Sequence, residues 1–172
     1  GFGAFLLVWG CGGAVQAAAY GAEIAGTMDE TTANCRYGVV AGNGEEVHVP
    51  RIGAGWFLDF NPPLPPLPVA GNGAEFVHML LVYQRKTQDG HYLPGYRTEI
   101  PLDQAFADFI SANPGDLWLI GNEVDRGPNP GKNWSGQGDM FPEMYARAYH
   151  DVRAFIKKHD PTARIAISGL VQ

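Results

Sequence analysis

The sequence predicts an α/β fold in which helices cover a parallel sheet. One observation is the short apolar run Leu117–Ile120, which is bounded by polar turn residues as a strand buried on both faces would be. Another is the apolar stripe along residues 142–159, whose members recur at helical spacing. The third is the alternation of strand-like and helix-like segments, because that order is typical of parallel sheets.

Two strands are predicted before residue 61. Residues 35–41 form a candidate first strand, in which Cys35 is expected to be a buried, inert thiol. Residues 55–60 are a clearer strand, and the prolines that follow end it because proline cannot donate a hydrogen bond into a sheet. Five prolines between residues 62 and 73 exclude a helix there and predict an irregular loop.

The middle of the chain is predicted as a strand, a loop and a helix. Residues 75–83 form a long apolar run rich in branched and aromatic side chains, as in a buried strand. The predicted loop carries Tyr92, Tyr96 and Arg97. Residues 101–110 then place their large apolar side chains on one helical face, and the leading proline suits a first helical turn.

The last elements are the strand 117–120, a long loop over 124–138, the helix 142–159 and a final strand over 163–169. Basic residues close the helix, where the helix dipole favours cations. A complete (β/α)8 barrel takes about 250 residues. We therefore expect residues 35–172 to be the N-terminal half of such a barrel, containing its parallel strands one to five.

The N-terminal segment has the pattern of a signal peptide. Residues 1–22 carry no charge, and an apolar core at residues 5–9 is followed by the small residues 17–19. We expect this segment to be a signal peptide, joined to the fold by a linker over 23–34, in a secreted or cell-surface protein. The alternative is a membrane anchor, and membrane contact is expected only through this segment.

Composition limits the partners. The 172 residues are 45% apolar and 12% aromatic, as in a globular protein, and carry a net charge of −6. Without a basic cluster, nucleic acid is not expected as a partner. No cofactor is predicted, because no Gly-x-Gly-x-x-Gly follows a strand. No metal is predicted either, because the five histidines lack ligand spacing.

Asn122 and Glu123 are the main candidate site residues. They follow the strand 117–120 directly, at the carboxyl end where catalytic groups collect in α/β folds. The Glu123 carboxyl is placed to deliver a proton, and the Asn122 amide to bond a substrate hydroxyl. The alternative is structural, with Glu123 capping a loop or pairing with Arg126.

Four further residues are weaker candidates for binding substrate. Trp56 and Trp134 could stack on the apolar face of a sugar. Asp59 and Arg85 come at the predicted ends of the second and third strands and could line the same cleft. A structural pair between Asp59 and Arg85 is the alternative.

The segment Trp118-Leu-Ile-Gly-Asn-Glu123, with Asp125, resembles the strand-four signature of the retaining glycoside hydrolases built on (β/α)8 barrels. The similarity continues through residues 142–146 and 160–164, as in a group of poorly characterised bacterial glycosidase-like proteins. The resemblance implies that Glu123 is the general acid/base, that Asn122 holds the 2-hydroxyl of a sugar, and that the substrate is an oligo- or polysaccharide.

Two departures from that pattern matter. Val124 stands where many members have proline. The resemblance also places the nucleophile, a second glutamate, at the end of strand seven, beyond Gln172. Retaining hydrolysis needs two carboxylates about 5–5.5 Å apart, so we expect the 172 residues alone to be inactive. The rival interpretation is a non-catalytic carbohydrate-binding or cell-surface protein on the same barrel.

Overall fold

The computed structural model describes residues 34–42, 45–62, 67–68, 70–127 and 137–170. The predicted leader, residues 1–22, and the linker up to residue 33 lie outside this part. The described elements are β1 (Asn34–Val40), a 3-10 helix (Glu45–Ile52), β2 (Ala54–Leu58), β3 (Glu75–Leu80), β4 (Val82–Lys86), β5 (Tyr92–Thr98), α1 (Gln104–Ala112), β6 (Leu117–Ile120), α2 (Pro142–His159) and β7 (Arg164–Ile167).

Five of the strands form one sheet in the order β1-β2-β3-β6-β7, and β4 and β5 form a separate antiparallel pair. The pairs β1–β2, β2–β3 and β6–β7 are parallel. The predicted half of a (β/α)8 barrel is wrong, because the described chain has only two α-helices and a second sheet. A 3-10 helix containing Pro50, and no α-helix, lies between β1 and β2.

The predicted third strand, residues 75–83, is wrong at its end, and so is the loop predicted after it. The strand ends at Leu80, and the following residues form the β4–β5 hairpin. Tyr83 lies opposite Arg97 in this hairpin, and Gln84 lies opposite Tyr96. The turn contains Gly90 with a φ of 89°. The Asp-Gly dipeptide at that turn is a hairpin signal that a sequence analysis can use.

The described chain divides into two compact units, of which the first reaches Phe60 and resumes up to Val77. Its core consists of Ala41, Val49, Ala54, Phe57 and Ala70. A Cβ atom at Gly38 would lie 1.9 Å from the Trp56 ring, so only glycine fits beneath that ring. Cys35 is disulfide-bonded, so the expectation of an inert free thiol is wrong.

The second unit runs from His78 onwards and contains the larger core. Trp118 of β6 is fully buried, and the Phe106 and Phe109 rings of α1 lie edge-on to its ring at 5.5 and 6.1 Å. His78 is 1% exposed, stacks on Trp118 at 4.4 Å and contacts Asp116 through Nε2 at 2.6 Å. His78 is therefore a core residue.

Capping contacts fix both helices in this unit. Asp103 begins α1, and its side chain accepts a hydrogen bond from Phe106 N at 3.1 Å. Asp160 follows α2 and accepts hydrogen bonds from Gly115 N at 2.7 Å and from Thr162 N at 2.8 Å. The bond from Gly115 ties the chain before β6 to the chain before β7, and the bond from Thr162 is local to the turn after α2. No described helix is long and apolar enough to cross a membrane.

Candidate functional site

The carboxyl end of β6 is where the two main candidate residues lie. Gly121 follows the strand with a φ of 84°, and its N–H donates to Leu80 O at 2.8 Å, which joins this end to β3. A Cβ atom at Gly121 would lie 2.6 Å from Val124, so the turn requires glycine. Asn122 comes next and is 7% exposed. The strand end is therefore a tightly packed turn that carries a buried amide.

Glu123 has a left-handed backbone conformation, with a φ of 42°. Among the described non-glycine residues only Asp139, with a φ of 48°, shares this feature. Left-handed conformations cost a residue with a side chain roughly 1–2 kcal/mol, and they persist where the surroundings dictate them. Arg126 N donates to Glu123 O at 2.9 Å, and Met140 N donates to Val124 O at 2.8 Å. These backbone bonds hold Glu123 in its conformation.

The side chain of Glu123 forms an ion pair. Its Oε2 accepts a hydrogen bond from Arg126 Nη1 at 2.7 Å, and the two side chains are 21% and 37% exposed. The pair named as the structural alternative therefore exists. Hydrogen bonds between a guanidinium and a carboxylate are among the strong ones in proteins. In this arrangement Glu123 is accessible from solvent and acts as an acceptor.

Tyr145 of α2 joins the carboxyl ends of β6 and β7. Its hydroxyl donates to Ile120 O at 2.8 Å and accepts from Ser168 N at 2.7 Å. Burial raises the pKa of Tyr145, and Ser168 is 6% exposed. Tyr145 belongs to the apolar stripe predicted along residues 142–159, and that pattern does not predict this role. Only the polar hydroxyl on an otherwise apolar stripe hinted at it.

A second polar cluster surrounds Asp139, the other left-handed residue. Lys86 of β4 forms an ion pair with Asp139, and Tyr92 of β5 donates to Asp139 Oδ1 at 2.7 Å. Burial lowers the pKa of Lys86. The side chain of Gln84 accepts a hydrogen bond from Phe141 N at 2.9 Å. The hairpin is thus anchored by polar contacts to the segment that precedes α2.

A cavity of about 360 Å³ lies beside this cluster. Its lining combines hairpin residues with the segment 137–139, and it includes Tyr83, Arg85, Arg97 and Gly138. A Cβ atom at Gly138 would lie 2.8 Å from Val124 Cα, so the lining segment packs directly on the residue that follows Glu123. The cavity and the strand end share Val124 as a neighbour.

The other predicted site residues lie in different places. Trp56 is half-buried over Gly38, and Asp59 is 8% exposed just after β2, both in the first unit. Arg85 lies in β4 of the hairpin rather than at the end of a parallel strand. Trp134 is outside the described residues. The structure thus places Asn122, Glu123 and Arg85 within the second unit.

Within the described ranges, no group of three His, Cys, Asp or Glu side chains could hold a metal ion. No family model matches the sequence, and neither a comparison with curated proteins nor one with solved structures gives a match.

Proposed function

We propose that the protein takes part in the hydrolysis of O-glycosidic bonds, with Glu123 as the general acid/base and Asn122 as a ligand for a sugar hydroxyl. The observation that carries the proposal is the conformation of Glu123 at the carboxyl end of β6. A glutamate is held there in a left-handed conformation, and strained residues of this kind cluster at active sites. The resemblance of this segment to retaining glycoside hydrolases supports the same assignment.

The surroundings of Glu123 suit a group that exchanges protons and remains accessible. Its carboxylate is 21% exposed, whereas the preceding Asn122 is 7% exposed. Because the turn through Gly121 is tightly packed, the backbone beneath both side chains is held firmly. A firm backbone is what positions a proton donor at a fixed distance from its substrate. Proton donation then requires Arg126 to release the carboxylate when substrate enters.

The second carboxylate of the retaining mechanism has no assigned residue. The resemblance assigns this role to none of residues 1–172. Retention needs that carboxylate about 5–5.5 Å from Glu123. Residues 1–172 by themselves are proposed to bind the sugar without turning it over.

A carbohydrate-binding protein without catalysis is the second candidate function. The observation that favours it is the 2.7 Å ion pair between Arg126 and Glu123. A paired carboxylate can accept hydrogen bonds from sugar hydroxyls without giving up a proton. This candidate function involves the same strand end and the same class of ligand. It differs in that the glycosidic bond is not cleaved.

Glu123→Gln tests the proposed function. The variant keeps the size of the side chain and removes the exchangeable carboxyl proton, so we expect hydrolysis by the complete gene product to fall by about 10²–10⁴-fold. The measurement is the rate of phenol release from a panel of aryl glycosides.

Glu143→Gln is the matched control, because Glu143 is an exposed carboxylate in the first turn of α2. It should keep the wild-type rate. Undiminished hydrolysis in Glu123→Gln would refute the acid/base assignment. Glycan binding by a wild-type gene product that hydrolyses no glycoside would favour the second candidate.

A further inference from the structure

The open face of the β4–β5 hairpin carries two arginines beside a tyrosine. Tyr83 and Arg97 are directly opposite each other on the two strands, and Arg85 lies two residues beyond Tyr83. The register of the hairpin shifts between Gln84 and Lys86, so Arg85 lies at an irregularity of its strand. Tyr83, Arg85 and Arg97 also line the cavity of about 360 Å³, which is within the size range of small-molecule sites.

The two guanidinium groups have different contacts. The Arg97 guanidinium lies over the Tyr83 ring, 3.9 Å from its centroid. The Arg85 Nε donates to Tyr96 O at 3.2 Å, which restrains the orientation of its guanidinium group. Such a fixed, planar fork is the geometry that binds a carboxylate through two parallel hydrogen bonds.

The charges around the cavity are unbalanced. Lys86 is neutralised by its ion pair with Asp139. Among the described residues, neither Arg85 nor Arg97 forms an ion pair with a carboxylate. Glu99 interacts electrostatically with Arg97. Lys86, Arg85 and Arg97 are thus opposed by the two carboxylates of Asp139 and Glu99, and the remaining positive charge suits a negatively charged ligand.

Gly95 lies beside the Arg85 side chain on this face of the hairpin. It has a φ of 150°, and a Cβ atom there would lie 3.5 Å from Arg85 Cδ. The Arg97 guanidinium covers one face of the Tyr83 ring, so only the other face of that ring can take the apolar face of a sugar. A ligand that combines a ring with a carboxylate can contact both the aromatic surface and the positively charged arginines.

We propose that this face of the hairpin binds the carboxylate of an acidic sugar, a hexuronic acid residue within an oligosaccharide. The assignment names the substrate class and rests on the proposed carbohydrate function. The lining residue Gly138 packs on Val124, the residue next to Glu123. The cavity that Arg85 and Arg97 line therefore has one lining residue, Gly138, in contact with the turn that carries the proposed acid/base.

The test is the binding of tetragalacturonate and of its fully methyl-esterified form to the protein, measured by isothermal titration calorimetry at fixed ionic strength. The ester keeps the sugars and removes the charges. We expect the free acid to bind at least tenfold more tightly than the ester. Arg85→Gln and Arg97→Gln should each weaken binding of the free acid at least tenfold, because each removes one charged fork.

Arg153→Gln is the matched control, because Arg153 is an exposed arginine of α2 outside the cavity lining. It should bind tetragalacturonate as the wild type does. Arg85 and Arg97 are themselves exposed, so their variants should keep the wild-type circular dichroism spectrum. Arg85→Lys should recover only part of the affinity, because a lysine offers charge without the planar fork.

Three results would overturn the inference: equal binding of acid and ester, no binding of either, or equally tight binding of inorganic phosphate or of a tetra-aspartate peptide. The last result would make the face a general anion site. The outcome is separate from that of the proposed function. Uronate binding without hydrolysis removes only the enzyme assignment, and hydrolysis of neutral glycosides without uronate preference removes only this inference.

Discussion

Two features of Glu123 have opposite effects on the stability of the protein. Its left-handed backbone costs free energy, while its half-exposed ion pair with Arg126 returns about 0–1 kcal/mol. A glutamate at this position is therefore a poor solution for stability alone. Asparagine tolerates the same conformation better. The choice of glutamate is explained if the carboxyl group has a chemical role.

Glu123→Asn separates the two explanations. We expect its free energy of unfolding to stay within about 0.5 kcal/mol of the wild type, because the lost ion pair is offset by the lower backbone strain. Glycoside hydrolysis should be lost in the same variant. Urea unfolding followed by tryptophan fluorescence measures the stability.

Gly121→Ala provides the contrast in stability. Its Cβ atom would lie 2.6 Å from Val124 at a φ of 84°, so we expect a loss of more than about 1 kcal/mol. A loss above about 1.5 kcal/mol in Glu123→Asn would instead assign Glu123 a structural role.

At the scale of elements, the hairpin β4–β5 is held to helix α2 by one side-chain contact that is easy to test. Tyr96 of β5 donates to Asp151 of α2 at 2.8 Å. Burial, together with this hydrogen bond to a carboxylate, raises the pKa of Tyr96 from its ordinary value of 10.0 to about 12. Since the hairpin carries the proposed uronate site, this bond positions that site.

Tyr96→Phe should lower the free energy of unfolding by about 1 kcal/mol at neutral pH. The folded pKa lies above the unfolded one, so the contribution is complete below pH 10 and is lost as the pH rises toward 12. Urea unfolding between pH 8 and 11.5 should show the wild type and the variant converging. Tyr37→Phe is the control, since Tyr37 is 57% exposed. A difference that stays constant with pH would contradict the assignment.

The elements also differ in how well local sequence patterns predict them. The strand Leu117–Ile120 and the helix Pro142–His159 were predicted with their observed limits, because an apolar run and an apolar stripe define them locally. The hairpin was missed because half-exposed strands lack a continuous apolar run. Its Asp-Gly turn was the only local signal.

At the scale of the whole molecule, the barrel prediction failed although the strands themselves were mostly found. Counting strands cannot show what connects them. The segments around Pro50 and the proline-rich stretch 62–73 carry no helical periodicity, and that absence argued against complete β/α repeats. The site was predicted in part: Asn122 and Glu123 follow their strand, whereas the Tyr145 bridge depends on contacts between distant residues.

The two compact units differ in the size of their cores. Among the residues of the first unit that the structure describes, Phe57 is the one large side chain that is completely buried, and it packs with small aliphatic residues. The second buries Trp118, Phe106 and several large aliphatic side chains. Because apolar burial contributes about 25 cal/mol per Å², the second unit is the more stable one. Native-state hydrogen exchange reports such differences.

We expect the amide hydrogens of β2 to exchange through an opening of lower free energy than those of β6. The exchange of each amide is measured by NMR as a function of urea concentration below the unfolding transition. Amides of β6 should exchange only through global unfolding, and those of β2 through a smaller opening with a weaker urea dependence. Identical free energies and urea dependences for both strands would contradict two separate units.

We propose that Glu123 gives a proton to the leaving group of a glycoside. The most direct test of this proposal is the dependence of the rate on the leaving group, measured for the wild-type gene product and for Glu123→Gln. A proton donor matters most when the leaving oxygen is strongly basic. In Glu123→Gln we expect the rate of hydrolysis of alkyl glycosides to fall by about 10²–10⁴-fold. For dinitrophenyl glycosides we expect a much smaller fall in the rate of the glycosylation step. An equal loss with both leaving groups would contradict proton donation by Glu123.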